Sequence, residues 1–489
     1  MSAARFLIVI LFVTLLSFYG YAQRPKKTDN PSSKPQLQAK EDLLTRHLTA
    51  AETYQLSGDL PNAAIENRAV VSIALRSAAN LALNEGKLER AIKLLNDSLA
   101  VNDDAQTRMS LAIAYMRLSE TDKAISEAQN VLRLDTKSIQ ARYLLGRLFY
   151  SKGDYAAALP ELERTLINSP DFDTAYALAV TYLNLRQPDR ARLLFEEMET
   201  ALKDIKNGLH VLFGRAYEGA GYYAEAEREF KLELAADPKT PKAHFFIGYI
   251  ILQHGGSERL AEAGREFDQE LLISPQDFYA NFFCGVVATS ESEHPKAIKC
   301  LQKAIALRPK VAEAYLFLGQ SQAESGDPAA EKNLRRAIEL SPNKDKKDFQ
   351  LRRSHFLLGR LLIKSGRRAE GEKELAKAKE IQDDMLANVR DEVSKILNQV
   401  VDEEKTTADK KAADGIEKGL DTEQVELTPK KMAEINQLKS YFSQILAQAY
   451  HNLGVIDAQQ GQPESALAKF ASAAEWKPDF QGLDRNWGI

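Results

Sequence analysis

A glycine or alanine followed twelve residues later by an alanine recurs along this 489-residue chain at steps of about 34 residues. Gly146/Ala158, Ala179/Ala191, Gly214/Ala226, Gly285/Ala297 and Gly454/Ala466 carry the beat most clearly. A period of this length marks helical hairpins stacked in a row, each touching only its neighbours. Such stacking lets a chain too long for one compact core bury its apolar stripes. With 65 basic and 69 acidic residues the net charge is -4, so no global field draws the chain to nucleic acid or to an anionic membrane. The two cysteines are too few to define the fold.

The unit from Ile139 to Phe172 shows how each hairpin is written. Tyr143, Leu144, Gly146 and Phe149 lie on a first helix, Gly153-Asp154-Tyr155 makes the turn, and Ala158, Leu162 and Thr165 lie on a second. Gly146 and Ala158 are small where two helices approach; Gly153 permits the left-handed conformation that ends a helix; Pro170 cannot continue one. This pattern resembles the tetratricopeptide repeat, a helix-turn-helix of 34 residues. Laid along the chain, the frame gives about eleven units, starting near Leu44, Ser72, Ala105, Ile139, Phe172, Asn207, Pro241, Phe278, Ala312, Arg352 and Ala447. The resemblance implies an all-α, right-handed superhelical solenoid of tetratricopeptide-like hairpins.

The flanks read differently. Arg5, the apolar run Phe6 to Tyr19 and the small residues of Gly20-Tyr21-Ala22 predict a signal peptide over residues 1–22, cut before Gln23. Export to a periplasm or to the outside follows, or membrane anchoring through residues 6–22 if the segment is kept. Residues 23–40, with Pro25, Pro31 and Pro35, read as a flexible tether, and 41–382 as the repeat array. Residues 383–437 break the beat: an irregular helix is followed by an insert rich in Asp, Glu, Lys and Thr. Residues 438–489 are expected to hold one more repeat and the start of the next, so that the insert divides a long array from a short one. Trp487-Gly488-Ile489 fits an opening first helix, which raises a second expectation: a recognition part whose catalytic domain lies beyond Ile489.

No His-Glu-x-x-His pair, Gly-x-Ser-x-Gly elbow or phosphate-binding glycine loop is present, so the chain reads as non-catalytic, with neither cofactor nor metal. The seven histidines are scattered over six units, only His244 and His254 being close in sequence, and are expected to pack or face solvent. Glu225, Glu227 and Glu229 read as a solvated face. Cys284 and Cys300 sit on the two helices of one hairpin, but Cys300 lies one step off the inward Leu301, which favours two buried thiols over a bridge.

The resemblance also implies where a partner sits. Ligand-facing side chains in the family come from the second, fifth, ninth and twelfth places, on first helices. In this sequence those places hold Tyr143, Arg147, Tyr150, Tyr176, Arg215, Phe245, Tyr249, Tyr279 and Phe282. Aromatic rings with arginines are what protein interfaces favour, so partner proteins or peptides are expected there, with about half of the rings packing between hairpins instead. Arg76 and Asn80 match one basic-Asn pair of the family's carboxylate clamp, but Ser110, Gln140 and Leu144 leave the clamp incomplete. Lys344, Lys346, Lys347, Arg352, Arg353, Arg360, Lys364, Arg367 and Arg368 crowd one unit, against which the acidic insert is expected to fold.

Overall fold

The computed structural model describes residues 33–202, 208–341, 349–385 and 428–480, which form 21 α-helices; among the described residues there is no strand. Two compact units divide the chain, one of residues up to Leu185 together with the C-terminal helices, the other beginning at Arg186. The first holds α1 (Ser33–Leu56), α2 (Leu60–Asn84), α3 (Leu88–Val101), α4 (Ala105–Arg117), α5 (Thr121–Leu134), α6 (Ile139–Lys152), α7 (Tyr155–Asn168) and α8 (Phe172–Asn184), and closes with α20 (Pro429–Gln459) and α21 (Pro463–Trp476). The second holds α9 (Pro188–Ala201), α10 (Leu209–Gly219), α11 (Tyr223–Ala236), α12 (Ala243–His254), α13 (Leu260–Ile273), α14 (Phe278–Ser290), α15 (His294–Leu307), α16 (Ala312–Ser325), α17 (Ala330–Leu340), α18 (Phe349–Lys364) and α19 (Arg368–Met385).

Local chemistry sets these boundaries. Asp104, Asp171 and Asp277 each accept a backbone N–H at the start of a first helix, and Ser138 does the same for α6. Gly153 ends α6 at φ 77°, as expected of a left-handed terminus. Ser119, Arg186 and Ser292 hold that same turn place at φ 59–62° without being glycine. The extra residues of the unit near Pro241 become a turn of 3-10 helix, Ser257–Arg259, ahead of α13.

Within a hairpin the small residue of the first helix faces a large side chain of the second. A β-carbon at Gly214 would stand 2.6 Å from the Phe230 ring, and one at Gly146 2.8 Å from Leu162. Gly454 meets Phe470 in the same way. The later alanines of the beat, such as Ala158, Ala226 and Ala297, are fully buried as well.

Three expectations change. Helix α1 begins at Ser33, inside the stretch read as tether, because Gln36 to Glu41 are good helix formers and Pro35 sits in the first turn, where proline is tolerated. No turn separates the first two units: their starts at Leu44 and Ser72 are 28 residues apart, six short of a repeat, and the second helix of one runs straight into the first helix of the next as α2. Last, α20 starts at Pro429 with Thr428 as its cap, within the stretch read as irregular. The signal peptide, Lys344, Lys346 and Lys347, the acidic insert from Asp402 to Glu426, and Trp487 to Ile489 lie outside the described residues.

The C-terminal hairpin packs back on the N-terminal one. Ile445, Leu446, Ala449, Leu453 and Ile456 of α20 share one core with Val70, Val71, Ala74 and Leu75 of α2 and Leu94 and Leu95 of α3. Lys439 pairs with Glu85 at the end of α2, and Asn452 donates to Asn67 near its beginning at 3.3 Å, so the two helices run antiparallel. Because α2 does not fold back after its first half, one flank of it needs another helix, and α20 supplies it.

Two outcomes follow from this packing. Gly214→Ala should lower the urea-unfolding free energy by about 1–3 kcal/mol, since Phe230 must move. Gly219→Ala, five residues on and facing open space, should instead raise it by up to ~1 kcal/mol through helix propensity. Leu446→Ala, at a fully buried site, should cost about 2–5 kcal/mol and speed hydrogen exchange in α2, more than 350 residues away in sequence.

Candidate functional site

The nine residues placed on the groove side fall in both units. In the first unit Tyr143 and Arg147 are buried, at 6% and 4% exposed. Arg147 donates from Nη1 to the Asp173 carbonyl of α8 at 3.0 Å and lies 5.7 Å from the Tyr150 ring. Tyr150 is half-buried and edge-on to Tyr155; Tyr176 is half-buried and stacked on Phe172. In the second unit Phe245, Tyr249 and Phe282 are buried among Phe267 and Phe283. Arg215 is half-buried over Phe246, and Tyr279 is half-buried between Lys242 and Arg308, whose Nη1 donates to the Tyr279 hydroxyl at 3.2 Å. Five of the nine therefore belong to the core, because first helices of adjacent hairpins lie close enough for their rings to interdigitate, as Phe245 does with Tyr279 and Phe283. Tyr150, Tyr176, Arg215 and Tyr279 keep accessible surface.

Polar chemistry concentrates instead at one recurring place inside the hairpins. The fourth residue of six units is a histidine or arginine that meets a glutamate of the second helix. His47 meets Glu66, Arg108 Glu127, Arg142 Glu161, His210 Glu229 and His355 Glu374, each 19 residues apart and within 2.5–2.9 Å. His244 meets Glu266 after 22 residues, at 2.7 Å, its spacing stretched by the extra turn before α13. In the unit near Ser72 the fourth place and its counterpart are both apolar, Leu75 and Leu94, and share one core. Four of the seven histidines thus have one shared role, and Glu229 is buried rather than solvated. Tracing five of the six cations forward by 19 residues finds their glutamates in the sequence.

Two buried carboxylates do a different job. α10 and α12 start after Gly208 and Lys242, both at positive φ and without a side-chain cap of their own. Glu233 of α11 accepts the Gly208 and His210 N–H groups at 2.8 and 3.2 Å, and Glu270 of α13 accepts that of Lys242 at 3.0 Å. A helix start without its own cap thus borrows one from the second helix of its hairpin.

Comparison with known proteins meets this geometry. A tetratricopeptide-repeat family model matches residues 76–139, 143–204, 211–278 and 290–345, about half of the chain. The chain belongs to the tetratricopeptide-repeat family. It is 32% identical over 105 residues to DnaJ homolog subfamily C member 3 of Gallus gallus, covering 21% of each chain. It is 25% identical over 265 residues to BBSome complex member BBS4 of Bos taurus, covering 53% of this chain and 49% of that one. The chain thus spans between a fifth and half of the length of these curated relatives. Among solved structures, a MamA fragment from Desulfovibrio magneticus RS-1 matches at 20% identity and a TM-score of 0.32, over 37% of this chain and 96% of the other.

The tetratricopeptide frame accounts for three further side chains. Cys284 and Cys300 form a disulfide with a Cα–Cα distance of 6.1 Å, contrary to the expectation of two thiols. Cys300 stands 19 residues after Asn281, the offset at which the paired glutamates of five other hairpins meet the first helix; its offset from Leu301 turns it toward Cys284, not away. Arg76, the clamp-like residue, is spent on structure: it is buried and bonded to Asp104 at 2.9 Å. A shallow polar cleft of about 410 Å³ between Ser119 and Lys152 is lined by the Lys152–Asp122 ion pair and by Glu120, which pairs with Lys123. Among the described residues no group of three or more His, Cys, Asp or Glu is arranged to hold a metal ion, and no helix is long and apolar enough to cross a membrane.

The Glu229 hydrogen bond, outweighing burial, raises the His210 pKa above 6.5. A raised folded-state pKa gives stability that is fully present below the unfolded value and lost as pH climbs through the folded one. His210→Gln should therefore be most destabilising below pH 6.5 and approach the parent above the raised pKa. Urea titrations from about pH 5.5 to about pH 8.5 test this; a penalty that does not change with pH would refute it.

Proposed function

We propose that this protein is an exported, non-catalytic scaffold that holds segments of partner proteins against the first helices of its hairpins. The family match over half of the chain carries the scaffold reading. Repeats of this kind offer extended surfaces and generally serve as protein-binding scaffolds, and one relative is by name a member of a complex. Tyr150, Tyr176, Arg215 and Tyr279 supply accessible rings and a guanidinium of the kind that anchors interfaces. Export is supported by two separate features. Residues 1–22 have the layout of a signal peptide. The Cys284–Cys300 bridge belongs to an oxidising compartment, such as a periplasm or the outside of a cell. Partners are proteins or peptides; a membrane enters only if residues 6–22 are retained.

The triple variant Tyr150→Ala, Arg215→Ala, Tyr279→Ala tests the reading, Tyr249 being too buried to serve. Affinity capture from the extracytoplasmic fraction should lose its partner bands by roughly tenfold or more with the helical circular dichroism unchanged. Undiminished capture of the same proteins would defeat the reading. For export, the purified protein should begin at Gln23 and weigh about two daltons less than its reduced form. A chain still carrying Met1, with free thiols, would defeat it.

A further inference from the structure

Helix α18 differs from the other first helices in its charge. Its 16 residues carry Arg352, Arg353, His355, Arg360 and Lys364, and neither aspartate nor glutamate. Leu351, Ser354, His355, Leu358 and Leu362 form its buried stripe. Arg353, Phe356, Arg360, Ile363 and Lys364 follow at helical spacing on the opposite side. Phe356 and Ile363 are 42% and 39% exposed there, although both are large and apolar.

Arg353 and Arg360 contact rings and an amide, and Arg353 has the Glu324 carboxylate in its field without an ion pair. Arg353 lies 5.2 Å from the Phe317 ring of α16 and donates to Gln320 at 2.5 Å; Arg360 lies 5.7 Å from its own neighbour Phe356. Among the described residues neither Arg360 nor Lys364 has an ion-pair partner. The contrast with the start of the next helix is direct: Arg367, just ahead of α19, pairs with Glu331 and Glu370, and Arg368 with Glu372. Positive charge left unpaired beside exposed apolar side chains, on a protein of net charge -4, is complementary to an acidic ligand with apolar anchors.

We propose that the α18 face, with Phe317 of α16 at its edge, binds an acidic peptide segment of a partner protein that carries an aromatic or aliphatic anchor. The proposal deepens the scaffold reading by giving one partner segment its chemistry, and rests on that reading. Carboxylates at helical or extended spacing meet Arg353, Arg360 and Lys364, and the anchor covers Phe356 and Ile363. The chain's own residues 402–428 suit the face less well: they interleave Lys405, Lys410, Lys411 and Lys418 among their acids and contain no aromatic ring. A nucleic-acid strand suits it less well too. The stripe spans one helix of about 24 Å, and an aliphatic side chain stands where a stacking ring would be needed.

The test uses the full chain and a fluorescein-labelled peptide of three Glu-Glu-Leu-Phe blocks, read by anisotropy. Binding should weaken as salt rises, and the peptide with glutamine for glutamate should bind roughly tenfold more weakly or not at all. Arg360→Glu with Lys364→Glu should abolish binding, and the neutral pair Arg360→Gln with Lys364→Gln should reduce it by roughly tenfold, both with parental circular dichroism. Equal binding by either variant, equal binding of the glutamine peptide, or no binding to the parent overturns the proposal. So does stronger displacement by an oligothymidine of equal charge, or a tenfold gain in affinity on deleting residues 402–428, which would make the chain's own acidic segment the occupant. If these variants fail to change peptide binding while the Tyr150/Arg215/Tyr279 variant still loses its partners, the α18 assignment fails and the scaffold reading stands.

Discussion

Everything in this molecule depends on how closely the two helices of one hairpin approach. The helices between α3 and α18 run 11 to 16 residues, lengths that are marginal for an isolated helix in water. Their stability must come from burying one face, and the small residue of the first helix sets how near that face can come. Gly146, Gly214 and Gly454 each admit a leucine or phenylalanine into the space a side chain of their own would fill. The penalty of glycine inside a helix, about 0.5–1 kcal/mol, is offset by the contact area it opens to a large side chain. The chain repeats this exchange at a fixed interval, which is why a period appears in the sequence at all.

Close approach creates a second constraint, met in the same place. A polar group at the fourth position of a first helix faces its neighbour across a nearly dry contact, and it needs a partner there. Six units answer with His–Glu or Arg–Glu and one with the apolar pair Leu75/Leu94, while Asn281 turns to the carbonyls of Pro275 and Asp277 and leaves the facing Cys300 to Cys284. These solutions are alternatives for one site in the hairpin, and each fixes the rotation of the second helix against the first. A slip of one residue would bury a glutamate without its cation or an amide without its cap. Glu233 and Glu270 extend the same logic to the ends of α10 and α12.

The hairpins were legible because glycine, alanine and proline act locally: a turn, a close contact and a helix stop each need a particular residue wherever they occur. Pair contacts were less so. The Glu of a His–Glu pair lies 19 or 22 residues from its partner, beyond the reach of one-helix periodicity, so that sequence alone reads Glu229 as surface and Cys300 as misaligned. The groove side chains show a different limit. Places two, five, nine and twelve say which side of a helix a residue takes, but not how far the next hairpin stands; at Phe245 and Phe282 the neighbouring rings fill that space, and at Tyr150 and Tyr279 they leave part of it open. The cationic face of α18 was visible as a count of arginines. Which of them lacked a carboxylate depended on Glu331, Glu370 and Glu372, and hence on packing.

The contact between α2 and α20 is where the nearest-neighbour rule of a solenoid breaks. In a strict row each hairpin gains its stability from the two beside it, and an end hairpin leaves one face bare. Here the missing turn at Val70-Val71-Ser72 leaves a flank of α2 that its own sequence neighbours do not cover, and residues up to 385 positions later cover it. Closing so long a loop costs entropy only logarithmically in its length, so the distance itself is affordable; the delay is not avoidable. The first unit can complete its core only after residues 428–480 have been made, while the hairpins of α4 to α7 can fold from local contacts alone. Stability near the N-terminus is thereby tied to the C-terminal hairpin, and a change in Leu446 or Ile456 acts on α2 as directly as one in Val71.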